Sequence, residues 1–134
     1  MDTNVVSEAR KPRGDANVKA WMTSVSGTEL YLSVLVVGEI RQGVERLRSR
    51  DSEQASEYDV WLAELRRQFS RHILSVTEEV AEEWGRMNVP DPISAIDGLQ
   101  AATAAVHDLT FVTRNTRDVE RTGVRLLNPF ESAG

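Results

Sequence analysis

Residues 109–118 read Leu-Thr-Phe-Val-Thr-Arg-Asn-Thr-Arg-Asp, and this stretch decides the fold. Its first half, Leu109–Thr113, is a short apolar run of the kind that forms a buried strand. Its second half turns polar at once, and Asn115–Arg121 reads as a short helix. A strand leading straight into a helix is half of a parallel crossover unit. The flanks supply the other half: Ser94–His107 predicts a helix upstream, and Gly123–Leu127 a last strand downstream.

The same alternation extends toward the amino end. Leu30–Ser33 is apolar and precedes a helical segment, Val34–Arg48. Asp51–Ser70 is polar, with Ala55, Tyr58, Trp61, Leu62, Leu65 and Phe69 at helical spacing. His72–Val76 predicts a strand, and Thr77 starts a helix ending at Met87. The turn Asn88-Val89-Pro90-Asp91-Pro92 separates that helix from the next. Alternating strands and helices imply an α/β fold with a central, mainly parallel sheet flanked by helices. The chain, 1–134, fits one domain. At its amino end Asp2–Val6 reads as a strand end followed by a helix, yet only Met1 precedes Asp2. The first strand is therefore expected to be truncated.

Composition narrows the chemistry more than the function. Apolar residues make up 40% and charged residues 28%, as in ordinary globular proteins. No apolar run approaches the length of a bilayer span, so no membrane association is expected. Met1–Arg10 carries acidic residues where a signal peptide would be basic and then apolar, which points to the cytoplasm. Cysteine is absent, so a bound metal must use oxygen or imidazole ligands. The net charge of −5 argues against a nucleic-acid partner. Against that, most arginines cluster in Arg41–Arg50, Arg66–Arg71 and Arg114–Arg125, and arginine's planar fork suits phosphate. A GC-rich genome would give the same arginine bias, so charge alone decides nothing.

Four polar positions stand out, each with a structural alternative. Asp2 follows the stub of a strand and would also serve as a helix N-cap. Glu39 sits beside the stripe Val36, Ile40, Gly43 and Leu47, where an unpaired carboxylate is costly; an ion pair with Arg41 or Arg46 would relieve it. Asp97 stands three residues after Ser94, the spacing of a capping box. The run that follows, Gly98–Ala105, is small and apolar, so that helix packs close to the sheet and Asp97 points over its end. Asn115 follows the strand Leu109–Thr113, with Asp118 near by, and is itself a good N-cap. In a parallel sheet these points converge at one edge, beyond the carboxyl ends of the strands. Carboxylates so gathered repel, and a hard cation such as Mg²⁺ resolves the repulsion. Such a site suits phosphodiester hydrolysis. His72 and His107 read as structural.

Five stretches together resemble the motifs of PIN domains, in particular VapC-type toxins. They are Asp2-Thr3-Asn4-Val5-Val6-Ser7-Glu8; Leu32–Ile40 with Gly43; Ala95–Ala104; Leu109–Asp118; and Gly123–Phe130. The resemblance spans the whole chain, in order. It implies a PIN-like fold and endonucleolytic cleavage of RNA with Mg²⁺, for which Mn²⁺ substitutes. Asp2, Glu39 and Asp97 would be catalytic and metal-binding. Asn115 would join the catalytic set and Asp118 the metal ligands. Thr3, Asn4, Thr113 and Arg114 would position the substrate. Asn115 stands where many members carry a fourth acid, and Val119 where they carry phenylalanine.

The resemblance further implies a cognate VapB-type antitoxin, a homodimer and a hetero-oligomer with that antitoxin. The stripe Tyr58, Trp61, Leu62, Leu65 and Phe69 reads equally as a partner-facing groove or as plain core. The alternative to a toxin enzyme is a catalytically weakened PIN-like module acting through antitoxin and DNA complexes.

Overall fold

The computed structural model describes residues 1–131. Helices dominate it. In chain order they are α1 (Thr3–Arg10), α2 (Ala16–Ser24), α3 (Val34–Arg48), α4 (Ser52–Gln68), α5 (Glu78–Met87), α6 (Ala95–Val106) and α7 (Thr116–Val119). The strands β1 (Leu32–Ser33), β2 (Ile73–Leu74), β3 (Phe111–Val112) and β4 (Leu126–Leu127) are two residues each. Both strand pairs are parallel: β1 lies beside β2 with Leu32 opposite Ile73, and β3 beside β4 with Phe111 opposite Leu126.

The expected parallel sheet is thus present, divided in two with shorter ladders than the apolar runs suggest. Residues at the amino end join the two halves. Met1 donates its amino group to the Tyr31 carbonyl at 3.2 Å, and the Asp2 N–H bonds the Val112 carbonyl at 2.9 Å. These two residues bridge the halves. A strand's ladder extends only as far as its neighbour does.

Local sequence explains the helix starts. The side chains of Asp2, Ser33, Asp51 and Thr77 accept backbone N–H groups of Val5, Leu35, Gln54 and Val80. Each supplies an acceptor to a first-turn donor that has no partner within the helix. Helix α2 had no counterpart in the sequence reading. Val18 is its only buried residue, too little for an apolar stripe to register.

Three apolar clusters fill the interior. Val6 of α1, Leu32 of β1, Val36 and Ile40 of α3, and Leu62 and Leu65 of α4 make one. Tyr58, Trp61 and Phe69 pack against it, and Tyr58 and Trp61 stack with centroids 5.2 Å apart. Of the α4 stripe, Leu62 and Leu65 are thus buried in the chain's own core, and Tyr58, Trp61 and Phe69 are half-buried against it. A second cluster joins Val5, Val18 and Val112. The third joins α5 and α6 through Val80, Met87, Ala101, Ala102 and Ala104, with Phe111 and Val119. Burying side chains of this size contributes about 1.5–3 kcal/mol for each valine, leucine or phenylalanine.

Small residues let α6 approach its neighbours. At Gly98, a methyl group would lie 2.9 Å from Cδ1 of Trp84. Gly98→Ala is expected to destabilise the fold by about 1 kcal/mol net. Overpacking against the indole outweighs the gain in helix propensity, which is about 1 kcal/mol. Chemical denaturation checks this, and a more stable variant would mean that the ring moves aside freely.

Candidate active site

The amino end of α1 and the end of β3 are tied together through Asp2. Its carboxylate is 4% exposed, and the two oxygens have separate partners. Oδ1 accepts the Val5 N–H at 3.0 Å, and Oδ2 accepts the Thr113 hydroxyl at 2.5 Å. Thr113 is fully buried, and its Oγ1 also accepts the Asn115 N–H at 3.0 Å. Asp2 is therefore the N-cap of α1, and the cap bond leaves its second oxygen to Thr113.

Glu39 is half-buried on α3, next to the buried Ile40. Its Oε1 accepts the Thr3 hydroxyl at 2.5 Å. The ion pair that would neutralise it does not form: Arg41 instead meets Glu45 and Asp59, and Arg46 joins no described salt bridge. The hydroxyls of Thr3 and Thr113 thus each donate to a carboxylate, of Glu39 and of Asp2 respectively.

Asp97 lies half-buried in the first turn of α6. The expected capping box is absent, since the Ser94 side chain makes no cap hydrogen bond. Asp97 itself makes no described hydrogen bond or ion pair, which leaves its carboxyl free. Burial raises that carboxyl above the usual aspartate range, and the negative charges of Asp2, Asp118 and Glu39, in that order, raise it further. Four acids, one capping α1 and the others on α3, α6 and α7, thus share one field, with no described salt bridge to any of the four.

The remaining candidates lie at the rim. Asn115 and Asp118 are exposed, and Asn115 occupies the N-cap place of α7 without a side-chain cap bond. Asn4 is exposed in the first turn of α1. Arg114 is exposed with its guanidinium 4.6 Å from the centre of the Phe130 ring. Phe130 was not foreseen as part of this region; the Pro129-Phe130 pair after the last strand was its only signal. The histidines lie elsewhere. His72 Nδ1 is 2.8 Å from the Leu30 carbonyl oxygen and its ring stacks on Tyr31, and His107 closes α6.

Among the described residues, no three acidic or histidine side chains stand close enough to enclose an ion as they are placed. The donor set nonetheless fits a hard divalent cation. It consists of carboxylate oxygens, it is short of positive charge, and the threonine hydroxyls engage only one oxygen each of Asp2 and Glu39.

A small parallel sheet among helices, with Asp2, Glu39 and Asp118 near enough to act on the Asp97 carboxyl, defines a class of protein. The chain belongs to the PIN-domain family, whose model matches residues 1–124. It is 32% identical to Toxin FitB of Neisseria gonorrhoeae, over 97% of this chain and 96% of that one. It is 31% identical to VapC ribonuclease Y4jK of Sinorhizobium fredii, over 99% of this chain and 98% of that one. The fold superposes on a structure of FitAB bound to an IR36 DNA fragment with a TM-score of 0.90, at 30% identity, covering 99% of this chain and 96% of that one.

Proposed function

We propose that the chain is the toxin of a toxin–antitoxin pair and hydrolyses RNA phosphodiester bonds with the help of Mg²⁺ or Mn²⁺. The observation that carries this reading is the Asp97 carboxyl, raised by burial and by three converging acids that no basic side chain pairs. A half-buried carboxyl set among other carboxylates, with no described basic partner, suits a metal. Asp2, Glu39, Asp97 and Asp118 would hold the ion, which when bound supplies an activated water and neutralises charge on the phosphate.

The chain's own residues have separable parts in this. Thr113 and Thr3 fix the rotamers of Asp2 and Glu39. Glu39, with one oxygen still free, is the group that accepts a proton from the attacking water. Asn115 offers a neutral amide beside Asp118, and Asn4 a second amide at the start of α1; both suit hydrogen bonding to the RNA backbone. Arg114 presents a cation to a substrate phosphate while its guanidinium rests on Phe130. The FitAB–DNA structure and the names of the relatives support the rest of the reading: a VapB-type antitoxin silences the enzyme, and a homodimer joins it in a hetero-oligomer. No described helix is long and apolar enough to cross a membrane, in keeping with action in the cytoplasm.

Purified protein freed of antitoxin is expected to cut structured RNA with Mg²⁺ or Mn²⁺ and to stop on addition of EDTA. Cutting that persists in EDTA would overturn the metal reading. No cutting with any divalent ion would favour the weakened binding module in its place.

A further inference from the structure

Asp97 and Asp118 stand at equivalent places, each in the first turn of its helix, α6 and α7. Neither of these helix starts carries a side-chain cap bond. Helix α7 is only four residues long, too short to hold its place by its own hydrogen bonds. The position of Asp118 therefore depends on anchors beside it. Val119 is one of them, fully buried in the cluster that joins α5 and α6.

Arg121 is the other. It lies in the 3₁₀ turn Glu120–Thr122 that follows α7. Its guanidinium donates through Nη1 to the Met87 carbonyl at 3.2 Å, and through Nη2 to the Asp91 carbonyl. Those carbonyls lie 34 and 30 residues upstream, at the end of α5 and in its connection to α6. The connection is also closed on itself by Asn88. Its amide nitrogen donates to the Trp84 carbonyl at 2.7 Å, and its amide oxygen accepts the Ile93 N–H at 2.9 Å. Ile93 leads directly into Ser94, the N-cap residue of α6. One arginine thus ties the turn that follows Asp118 to the segment that delivers Asp97.

Both described partners of the Arg121 guanidinium are backbone carbonyls. A planar fork reaches two such acceptors at a fixed spacing, which a lysine ammonium does not reproduce. The tie also has a load to bear. Asp97 and Asp118 carry like charges on helices that share one apolar cluster, and their repulsion pushes α6 and α7 apart.

We infer that Arg121 is a positioning residue, whose bridge to the Met87 and Asp91 carbonyls sets the separation of the Asp97 and Asp118 carboxylates. It acts through the backbone on both sides and touches no reacting group. The inference rests on reading these two acids as ligands of one metal site, and adds a residue that lies outside that site.

The first test is calorimetry of Mn²⁺ binding to Arg121→Ala, well below its Tm. Affinity should fall about ten-fold or more, with RNA cleavage falling in step. The sign is informative. Arg121 is three residues past Asp118, so loss of its charge alone would strengthen the binding of a cation. Unchanged or higher affinity would overturn the inference. In an Asp118→Asn background the same change should cost no more than about two-fold, and an undiminished loss there would also overturn it. Should Arg121→Ala fail to fold, Arg121→Lys takes its place: the charge stays, the fork is lost, and affinity should still fall about three-fold or more.

The second test needs no metal. Asp118→Asn relieves repulsion and should raise the Tm of the metal-free parent at neutral pH. Once the bridge is cut the helices relax apart, so the gain should shrink by about half or more in the Arg121 variant. Loss of charge alone would enlarge that gain, because Asp118 would be deprived of a nearby cation. A gain that is undiminished or larger would overturn the bridge. A parent that binds no Mn²⁺ would sink the metal reading, and this second comparison would then decide on the bridge by itself.

Discussion

Asp97→Asn should abolish RNA cleavage and, at neutral pH without metal, make the protein more stable. Both effects follow from one carboxyl group. Asp97 is the acid toward which Asp2, Asp118 and Glu39 direct their charge, and its own carboxyl is raised above the ordinary range by burial and by those three. Replacing it with a neutral isostere removes repulsion among the four and the burial of one charge. It also removes a metal ligand. Loss of an outer partner to a metal ligand typically costs 10–100-fold, so loss of a ligand should lower activity by more than about 100-fold.

The pH dependence separates this from a general stabilisation. Because the folded state raises the Asp97 carboxyl, the fold has its full stability below aspartate's ordinary value of 3.8 and loses part of it as pH rises through the raised value. The Asn variant lacks that loss. In the metal-free proteins the gap in Tm should be constant at neutral pH, shrink on acidification, and vanish below 3.8. Adding Mg²⁺ should raise the Tm of the parent protein and scarcely move the variant, since a ligand stabilises only the state that binds it. A variant that still cuts RNA with Mg²⁺, or that melts lower than its parent at neutral pH, would sink this account.

The ends of the helices were more legible than the site they frame. Thr77 announced α5, because a capping side chain acts on N–H groups two or three residues away, and the apolar spacing within Asp51–Ser70 announced α4. The same local logic misread Ser94 and Asp97: their spacing fits a capping box, yet no cap bond forms, and the acid is raised by charges from three other elements. Glu39 shows why. Its alternatives were Arg41 and Arg46, near in sequence, whereas its partner is Thr3, 36 residues away. Distant pairings of this kind come from topology, and neither local spacing nor the resemblance to a family carried this one. The division of the sheet into two strand pairs was not legible, because apolar runs mark strands without fixing how far neighbours pair.

Thr113→Val carries the other large expected effect, and it tests the idea that hydroxyls aim the carboxylates. Valine matches threonine in shape, so no cavity opens and the change is confined to the hydrogen bonds. Thr113 is fully buried, and its hydroxyl serves two neighbours: it donates to Asp2 Oδ2 and accepts the Asn115 N–H. Without it, a carboxylate only 4% exposed loses one of its two described donors. Stranding such a group costs about 1–3 kcal/mol, more when it is charged. The carboxylate would then turn to find another donor, and the end of β3 would lose its tie to α1. Affinity for Mn²⁺, measured by calorimetry, should fall by about 10–100-fold, with RNA cleavage falling in step. Thr113→Ser keeps the hydroxyl and should recover most of the affinity. That rescue is what a purely packing role would not produce, since serine removes a methyl group from a buried position. If serine is as damaging as valine, or if valine binds Mn²⁺ as the parent does, Thr113 fills space and Asp2 is aimed by its cap bond to Val5 alone.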